Sequence, residues 1–450
     1  MFAAKLRTAE CSLFSWFCQD LMLYLAYSMP VKKSSKKSLT RTKQAYVVAV
    51  DMGYGHQRAV YPLRHLAALL PTDQNKIGKV INANSYEGIP KKDKAQWDGS
   101  QKLYEFISRF TNIPLIGRLL FKSMDYFQRI EPFYPKRDQS RPTLQLRSIY
   151  AGIKRGWGKH LIATLNQNPL PLITSFFIPA YFAEEHGYKG EIYLLCCDAD
   201  VSRAWAPLKA GSSRITFLVP SERVKERLRR YGVRAEKIIM TGFPLPTENI
   251  GTGEKILQKS FQARLARLQP KSKAPLTITF CVGGAGAQRD LGVQILNSLH
   301  KKIDAGEIIL NLVAGSRADV NDFYQKEIDR LHFKLKHKGC IRIIFAPVKA
   351  DYFKLFNEVL LETDILWTKP SELSFYTGLG LPIIMAPTVG SQEEFNREWL
   401  LTLGAGLDQK DPVHAAEWIF EWLKNGAFAQ AAKHALEAPR SGTKKITDLV

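Results

Sequence analysis

Residues 368–406 read TKPSELSFYTGLGLPIIMAPTVGSQEEFNREWLLTLGAG. An apolar, helix-compatible run from Leu373 to Leu379 meets a Gly-Leu-Pro break at Gly380-Leu381-Pro382. A short apolar strand follows, Ile383-Ile384-Met385-Ala386. A loop with Pro387 and Gly390 then leads into a polar helix start, Ser391-Gln392-Glu393-Glu394. Helix, strand and helix in this order form the repeating unit of a parallel α/β sheet. Its polar residues fall in strand-end loops and at a helix N-terminus, where such sheets bind ligands.

The same alternation recurs on both sides. Ala45–Val50 is a buried strand by composition, followed by the loop Asp51-Met52-Gly53-Tyr54-Gly55-His56 and a periodic helix through Leu70. Leu172–Phe177 and Ile192–Cys197 are further strands, the second ending in Asp198-Ala199-Asp200. Ile215–Val219 precedes a basic helix with Ser221 as N-cap and Gly232 just past its end. Leu276–Val282 runs into Gly283-Gly284-Ala285-Gly286-Ala287-Gln288 and a helix to His300. Small residues there expose backbone N–H groups beside the positive end of a helix, a place suited to pyrophosphate or to nothing more than a tight turn. Ile308–Ala314 ends in Gly315-Ser316-Arg317, and Ile341–Phe345 ends in Ala346-Pro347-Val348. The class is α/β, with two doubly wound Rossmann-like domains expected at 45–246 and 276–450. Residues 247–275, rich in Thr, Gly, Lys and Gln, read as a linker with one basic helix. Of the final helices, Asp411–Lys424 and Ala427–Leu436, one is expected to pack back on the first domain.

Length supports two domains, since 450 residues exceed one ordinary core. The net charge of +22 implies an acidic partner: an anionic membrane surface, nucleic acid or a phosphorylated ligand. Six cysteines, of which only Cys196 and Cys197 adjoin, make neither a disulfide framework nor a zinc site, and fit a reducing compartment. Residues 1–44 stand apart. Cys11–Met29 is apolar like an anchor or signal core, but Gln19-Asp20 interrupts it, and Met29 offers an alternative start. The basic, Ser-rich VKKSSKKSLTRTK after it is expected to be disordered. From Leu103 to Leu165 aromatic and basic residues interleave, with Leu119, Leu120, Phe127, Phe133, Tyr134 and Trp157 among Arg109, Arg118, Lys122, Arg129, Lys136 and Arg137. Interfacial membrane segments have this composition. So do nucleic-acid surfaces, and so do helices whose apolar residues are simply core.

As a set, Thr368-Lys369, Gly380-Leu381-Pro382, Pro387, Gly390, Gln392-Glu393 and Asn396 resemble the donor-site signature of family 28 GT-B glycosyltransferases. These enzymes make monogalactosyldiacylglycerol or add N-acetylglucosamine to a lipid-linked precursor. The loop ending Gly53-Tyr54-Gly55-His56 is similar to the family's first loop, and Asp198 with Trp205 is similar to its acceptor-side strand end. The resemblance spans 46 to about 425. It departs from the family in two places: the His that often precedes the Trp is absent, with Arg203 nearby at an altered spacing, and Ser371-Glu372 replace a Gly pair. Thr377 stands at the offset of the family's ribose-binding acid.

The resemblance implies two facing domains with an interdomain cleft, and inverting transfer of a hexose from a UDP-sugar to a lipid hydroxyl at the cytoplasmic membrane face. Asp198 is then the base and His56 a polarising or positioning group, although Asp198 can also cap a turn and His56 bond a neighbouring backbone. Gly53, Tyr54, Gly55 and Trp205 line the acceptor side. Donor contacts fall to Gly283, Gly284, Ala285, Gly286, Ala287, Ser316, Phe345, Val348, Thr368, Lys369, Ser371, Glu372, Gln392, Glu393 and Asn396. Glu372 either takes over the ribose contact or is a plain acid at a helix start. No metal or other cofactor is required, and the implied partner besides the nucleotide sugar is anionic lipid rather than a specific nucleic acid. Two alternatives stay open: a non-catalytic membrane- or nucleic-acid-associated protein on this scaffold, or a UDP-sugar epimerase or hydrolase.

Overall fold

The computed structural model describes residues 43–71, 78–99, 130–281, 288–334, 339–388 and 390–450, and Lys43–Val450 forms one compact unit. Its central strands are short apolar runs buried on both faces, as helix-covered parallel sheets require, while the edge strands are less buried. The first sheet contains β1 (Tyr46–Ala49), β2 (Ile81–Asn82), β3 (Leu172–Thr174), β4 (Ile192–Leu195), β5 (Thr216–Val219) and β6 (Ile238–Met240). The second contains β7 (Leu276–Cys281), β8 (Ile308–Gly315), β9 (Ile341–Phe345), β10 (Ile365–Thr368), β11 (Ile383–Met385) and β12 (Gly406–Asp408).

Every strand pairing is parallel, in the orders β2-β1-β3-β4-β5-β6 and β12-β11-β10-β7-β8-β9. The second order is that of a dinucleotide-binding sheet, and the first is flavodoxin-like with an added edge strand. The strand order reverses between β1 and β3 in one lobe and between β7 and β10 in the other. In doubly wound sheets the loops diverge at such reversal points, which are the usual places for a ligand.

The chain between the sheets is built into the second lobe. Its helix Lys255–Arg267 buries Arg264, whose guanidinium donates to the carbonyls of Leu360, Thr363, Leu379 and Gly380. Those are free carbonyls at the ends of two helical segments, which a cation satisfies well. The element that returns to the first lobe is Gly442–Leu449, not either helix expected to do so. Thr443 donates to the Leu245 carbonyl at 2.5 Å, and Lys43 to that of Thr447 at 3.0 Å. The Ala415–Lys424 helix instead packs on the second lobe, its Ala416 amide bonded to Ser298.

Of the aromatic–basic run, residues 103–129 lie outside the described residues, Leu119, Leu120 and Phe127 among them. Trp157 is core, 4% exposed and edge-on to Trp97 and Phe182. Phe133 lies under the guanidinium groups of Arg223, Arg227 and Arg230. Tyr134 is 78% exposed, next to Lys136 and Arg137.

The lobes pack directly on one another. One continuous apolar cluster contains Val47, Tyr54 and Leu63 of the first lobe with Tyr352, Phe353, Phe356, Leu373 and Tyr376 of the second. The carboxyl ends of both sheets meet at this seam.

Candidate functional site

Four of the contacts that cross the seam lie at the carboxyl ends of the sheets, and five expected site residues, Tyr54, Ser316, Glu372, Asp198 and Asn396, lie on them. The first starts in the loop after β1. Tyr54 reaches the second lobe, where its hydroxyl accepts from the Ser316 amide at 2.8 Å and bonds Ser316 Oγ at 3.0 Å. Gly315 makes this approach possible: a Cβ there would lie 2.5 Å from the Tyr54 hydroxyl. In the second crossing Asp51 pairs with Lys349, which follows Val348 in the loop after β9.

The third crossing is charged and aromatic. Arg58, 3% exposed, pairs with Glu372 at 2.6 Å and donates to the Tyr352 hydroxyl at 2.6 Å. Its guanidinium also lies 4.9 Å from the centre of the Phe356 ring. Gly55 keeps the space open, since a Cβ there would come within 3.1 Å of Glu372 Oε2. Glu372, in the first turn of its helical segment, is held through Oε1 by a cation of the other lobe. Thr377, at the family acid's offset, is buried and donates to the Leu381 carbonyl.

Asp198 and Asn396 form the fourth crossing. Asp198 follows β4 and is half-buried. Asn396, fully buried on the Ser391–Leu403 helix, donates to Asp198 Oδ1 at 2.9 Å and accepts from the Ala199 amide at 2.7 Å. Burial pushes the Asp198 carboxyl up to about 6; the Asn396 bond and Lys369 oppose that rise, and the nearby Glu372 and Glu393 carboxylates add to it. A carboxylate poised there exchanges protons readily near neutral pH. Its neighbour Asp200 is a different case, fully buried and bound by Arg223 and Arg227.

His56 lies behind this point. Its Nδ1 bonds the Ser175 carbonyl at 2.8 Å, so Nδ1 carries the proton and Nε2 the lone pair. Burial pushes its pKa down to about 4 despite the Ser175 carbonyl and Glu372, so the ring is neutral at pH 7. Phe176 packs 4.7 Å from it and Trp205 6.3 Å. Trp205, expected on the acceptor side, is 4% exposed and part of the first-lobe core. Arg203 has all three guanidinium nitrogens on the carbonyls of Ser140, Ala206 and Pro207, a structural arrangement. Gly53 lies exposed in the β1 loop.

On the second lobe, Thr368 is buried at the end of β10 and Lys369 pairs with Glu393. Ser371 precedes the 3₁₀ turn Glu372–Leu379, its carbonyl accepting from the Ser374 amide. Gln392 lies half-buried on the first turn of the Ser391–Leu403 helix. Asn396, expected on sugar hydroxyls, instead has both ends of its amide on the first lobe. Phe345 is half-buried at the end of β9, while Val348 is 55% exposed. Gly283, Gly284, Ala285, Gly286 and Ala287 lie outside the described residues. A groove of about 710 Å³ between Lys255, Lys259, Thr277 and Ile309 opens at the amino ends of β7 and β8. That is the end of the sheet away from the seam, opposite the carboxyl ends where doubly wound sheets bind ligands. Among the described residues no cluster could hold a metal ion, and no helix is long and apolar enough to cross a membrane.

Sequence reasoning missed Arg58, Tyr352, Lys349 and Asp51 as seam residues. Only Asp51 carried a signal, its place at the end of a buried strand.

Two parallel-sheet lobes meeting at their carboxyl ends define a GT-B protein, and its motifs resemble those of glycosyltransferase family 28. Residues 233–437 match a domain of unknown function, DUF6938. The chain is 22% identical over 326 residues to a processive diacylglycerol beta-glucosyltransferase of Bacillus cytotoxicus, covering 71% of this chain and 72% of that one. Among solved structures it is similar to a UDP-GlcNAc 2-epimerase from Neisseria meningitidis bound to UDP-GlcNAc, with 12% identity and a TM-score of 0.49, covering 90% of this chain and 99% of that one. It is likewise similar to Acinetobacter baumannii MurG, with 13% identity, a TM-score of 0.44 and the same two coverages.

Proposed function

We propose that the protein moves a hexose, with inversion, from a UDP-sugar to the hydroxyl of a lipid acceptor at the cytoplasmic face of a membrane. The observation that carries this reading is Asp198. It is a half-buried carboxylate at a strand's carboxyl end, poised near pH 6 and held by the opposite lobe. In the proposed reaction Asp198 takes the proton of the acceptor hydroxyl, whose oxygen attacks the anomeric carbon. The bond from that carbon to the diphosphate oxygen breaks and UDP leaves with the electron pair. Backbone donors in the small-residue run Gly283–Ala287 and the positive end of the following helix would take up the charge. Gln392 and Glu393 are the remaining candidates for the sugar hydroxyls, and neutral His56 positions groups without adding charge.

A diacylglycerol-using relative that matches more than two thirds of each chain supports the lipid acceptor. The net charge of +22 and the exposed Tyr134 beside Lys136 and Arg137 support an anionic membrane surface. A second reading, a non-catalytic protein on the same scaffold, is favoured by the seam itself. Ser316, Glu372 and Asn396, all expected on the donor, are engaged across the lobes. A thermal-shift panel of uridine nucleotides and UDP-sugars separates the two. Transfer predicts a raised midpoint with UDP-sugars, and no shift with any uridine nucleotide would contradict it.

A further inference from the structure

The amide of Asn396 is oriented by the backbone it meets. Oδ1 must face the Ala199 N–H, 2.7 Å away, because only an acceptor satisfies that donor. Nδ2 must therefore face Asp198, and it donates to Oδ1 of the carboxylate at 2.9 Å. The remaining Nδ2 contact, 3.5 Å to the Pro370 carbonyl, reaches the turn that carries Lys369 and Glu372. Asn396 has no exposed surface. Among the described residues Asp198 has no other hydrogen-bond donor, so its second oxygen stays available.

We propose that Asn396 is a positioning residue for Asp198: an amide on the second lobe fixes the carboxylate of the first, so the base is oriented only when the lobes meet. The inference rests on Asp198 acting as the base. It makes the lobe contact part of the chemistry, because separating the lobes removes the bond that orders the carboxylate and favours its charged form. The charged and titratable groups around Asp198 are Glu372, Glu393, Lys369 and the adjoining Cys196 and Cys197. Lys369 already pairs with Glu393, and Glu372 with Arg58, so the amide is the donor that addresses Asp198 directly.

The test uses the full chain with Asn396→Ala, and with Asn396→Asp, which keeps the shape and the acceptor for Ala199 but replaces the donor by a like charge. Carboxyl ¹³C titration of aspartate-labelled protein, with the Asp198 signal assigned by its loss in Asp198→Asn, needs no turnover. The wild-type midpoint near 6 is expected to rise by about one pH unit in Asn396→Ala. In Asn396→Asp the upper step of the carboxylate pair rises further. The acid limb of kcat/KM for UDP release from UDP-glucose with diacylglycerol vesicles moves with the midpoint, which a merely structural contact would not cause. An unchanged midpoint in variants that still melt cooperatively overturns the inference. Loss of turnover in Asp198→Asn with an unmoved limb in the Asn396 variants overturns it alone, whereas full turnover in Asp198→Asn overturns the base assignment as well.

Discussion

Glu372 and Asp198 are both carboxylates set at the seam against a side chain of the other lobe, and the two contacts differ in kind. Glu372 meets a guanidinium that is itself packed among Tyr352 and Phe356, so charge is matched by charge. Asp198 meets only the neutral amide of Asn396, so its charge is ordered but not neutralised. The matched pair is a direct 2.6 Å contact between the lobes. Burial raises the pKa of the unmatched carboxylate to about 6, and no cation bonds it directly to reverse that rise. Adjacent stretches of one interface thus differ: one holds the lobes by a matched charge, and the other carries the carboxylate proposed as the base.

The largest effect expected from breaking this contrast is on the matched side. Glu372→Ala leaves Arg58 buried without its counter-ion and should cost about 3–5 kcal/mol in urea unfolding. Replacing both residues together by leucine should restore most of that loss. A single variant of wild-type stability would mean that the pair does not hold the seam.

Asp198→Asn is expected to do the reverse at neutral pH. A carboxyl whose folded pKa is raised binds its proton more tightly in the folded state, so its charge costs stability above pH 6 and nothing below about 4. The variant should therefore gain about 2 kcal/mol at pH 7.5 and nothing at pH 4. His56 has the opposite sign: its depressed pKa withdraws stability as pH falls from 6.5 towards 4. In the wild type the two trends offset each other. In Asp198→Asn the His56 trend remains, so stability should fall more steeply on acidification, as melting midpoints across pH 4–7.5 would reveal.

Tyr54→Phe is the smallest change. It removes the hydroxyl that satisfies the Ser316 amide and should cost about 1 kcal/mol, read as a shift in urea midpoint with no change in the pH dependence.

Much of this frame was legible in the chain. The apolar runs supplied the strands Tyr46–Ala49, Leu276–Cys281 and Ile383–Met385 because parallel sheets bury both faces, and the Gly380-Leu381-Pro382 break ends its 3₁₀ turn as its composition demands. The return of Gly442–Leu449 to the first lobe was hidden in a polar segment whose buried contacts are Thr443 and Ile446. The site was legible residue by residue but not as pairs. Asp198 and Glu372 were identifiable from a strand end and a helix start, and Asn396 from the family resemblance, yet what each one meets depends on how the two sheets are set against each other. Arg58 and Glu372 are 314 positions apart, and no local pattern records that contact.

The most direct measurement is the pH dependence of UDP release from UDP-glucose in the presence of diacylglycerol vesicles, for the wild type and Asp198→Asn. The account predicts acceptor-dependent release with an acid limb near pH 6, and a loss of about 10²–10⁴-fold with no such limb in the variant. Release that is independent of acceptor, or that survives undiminished in Asp198→Asn, would contradict it.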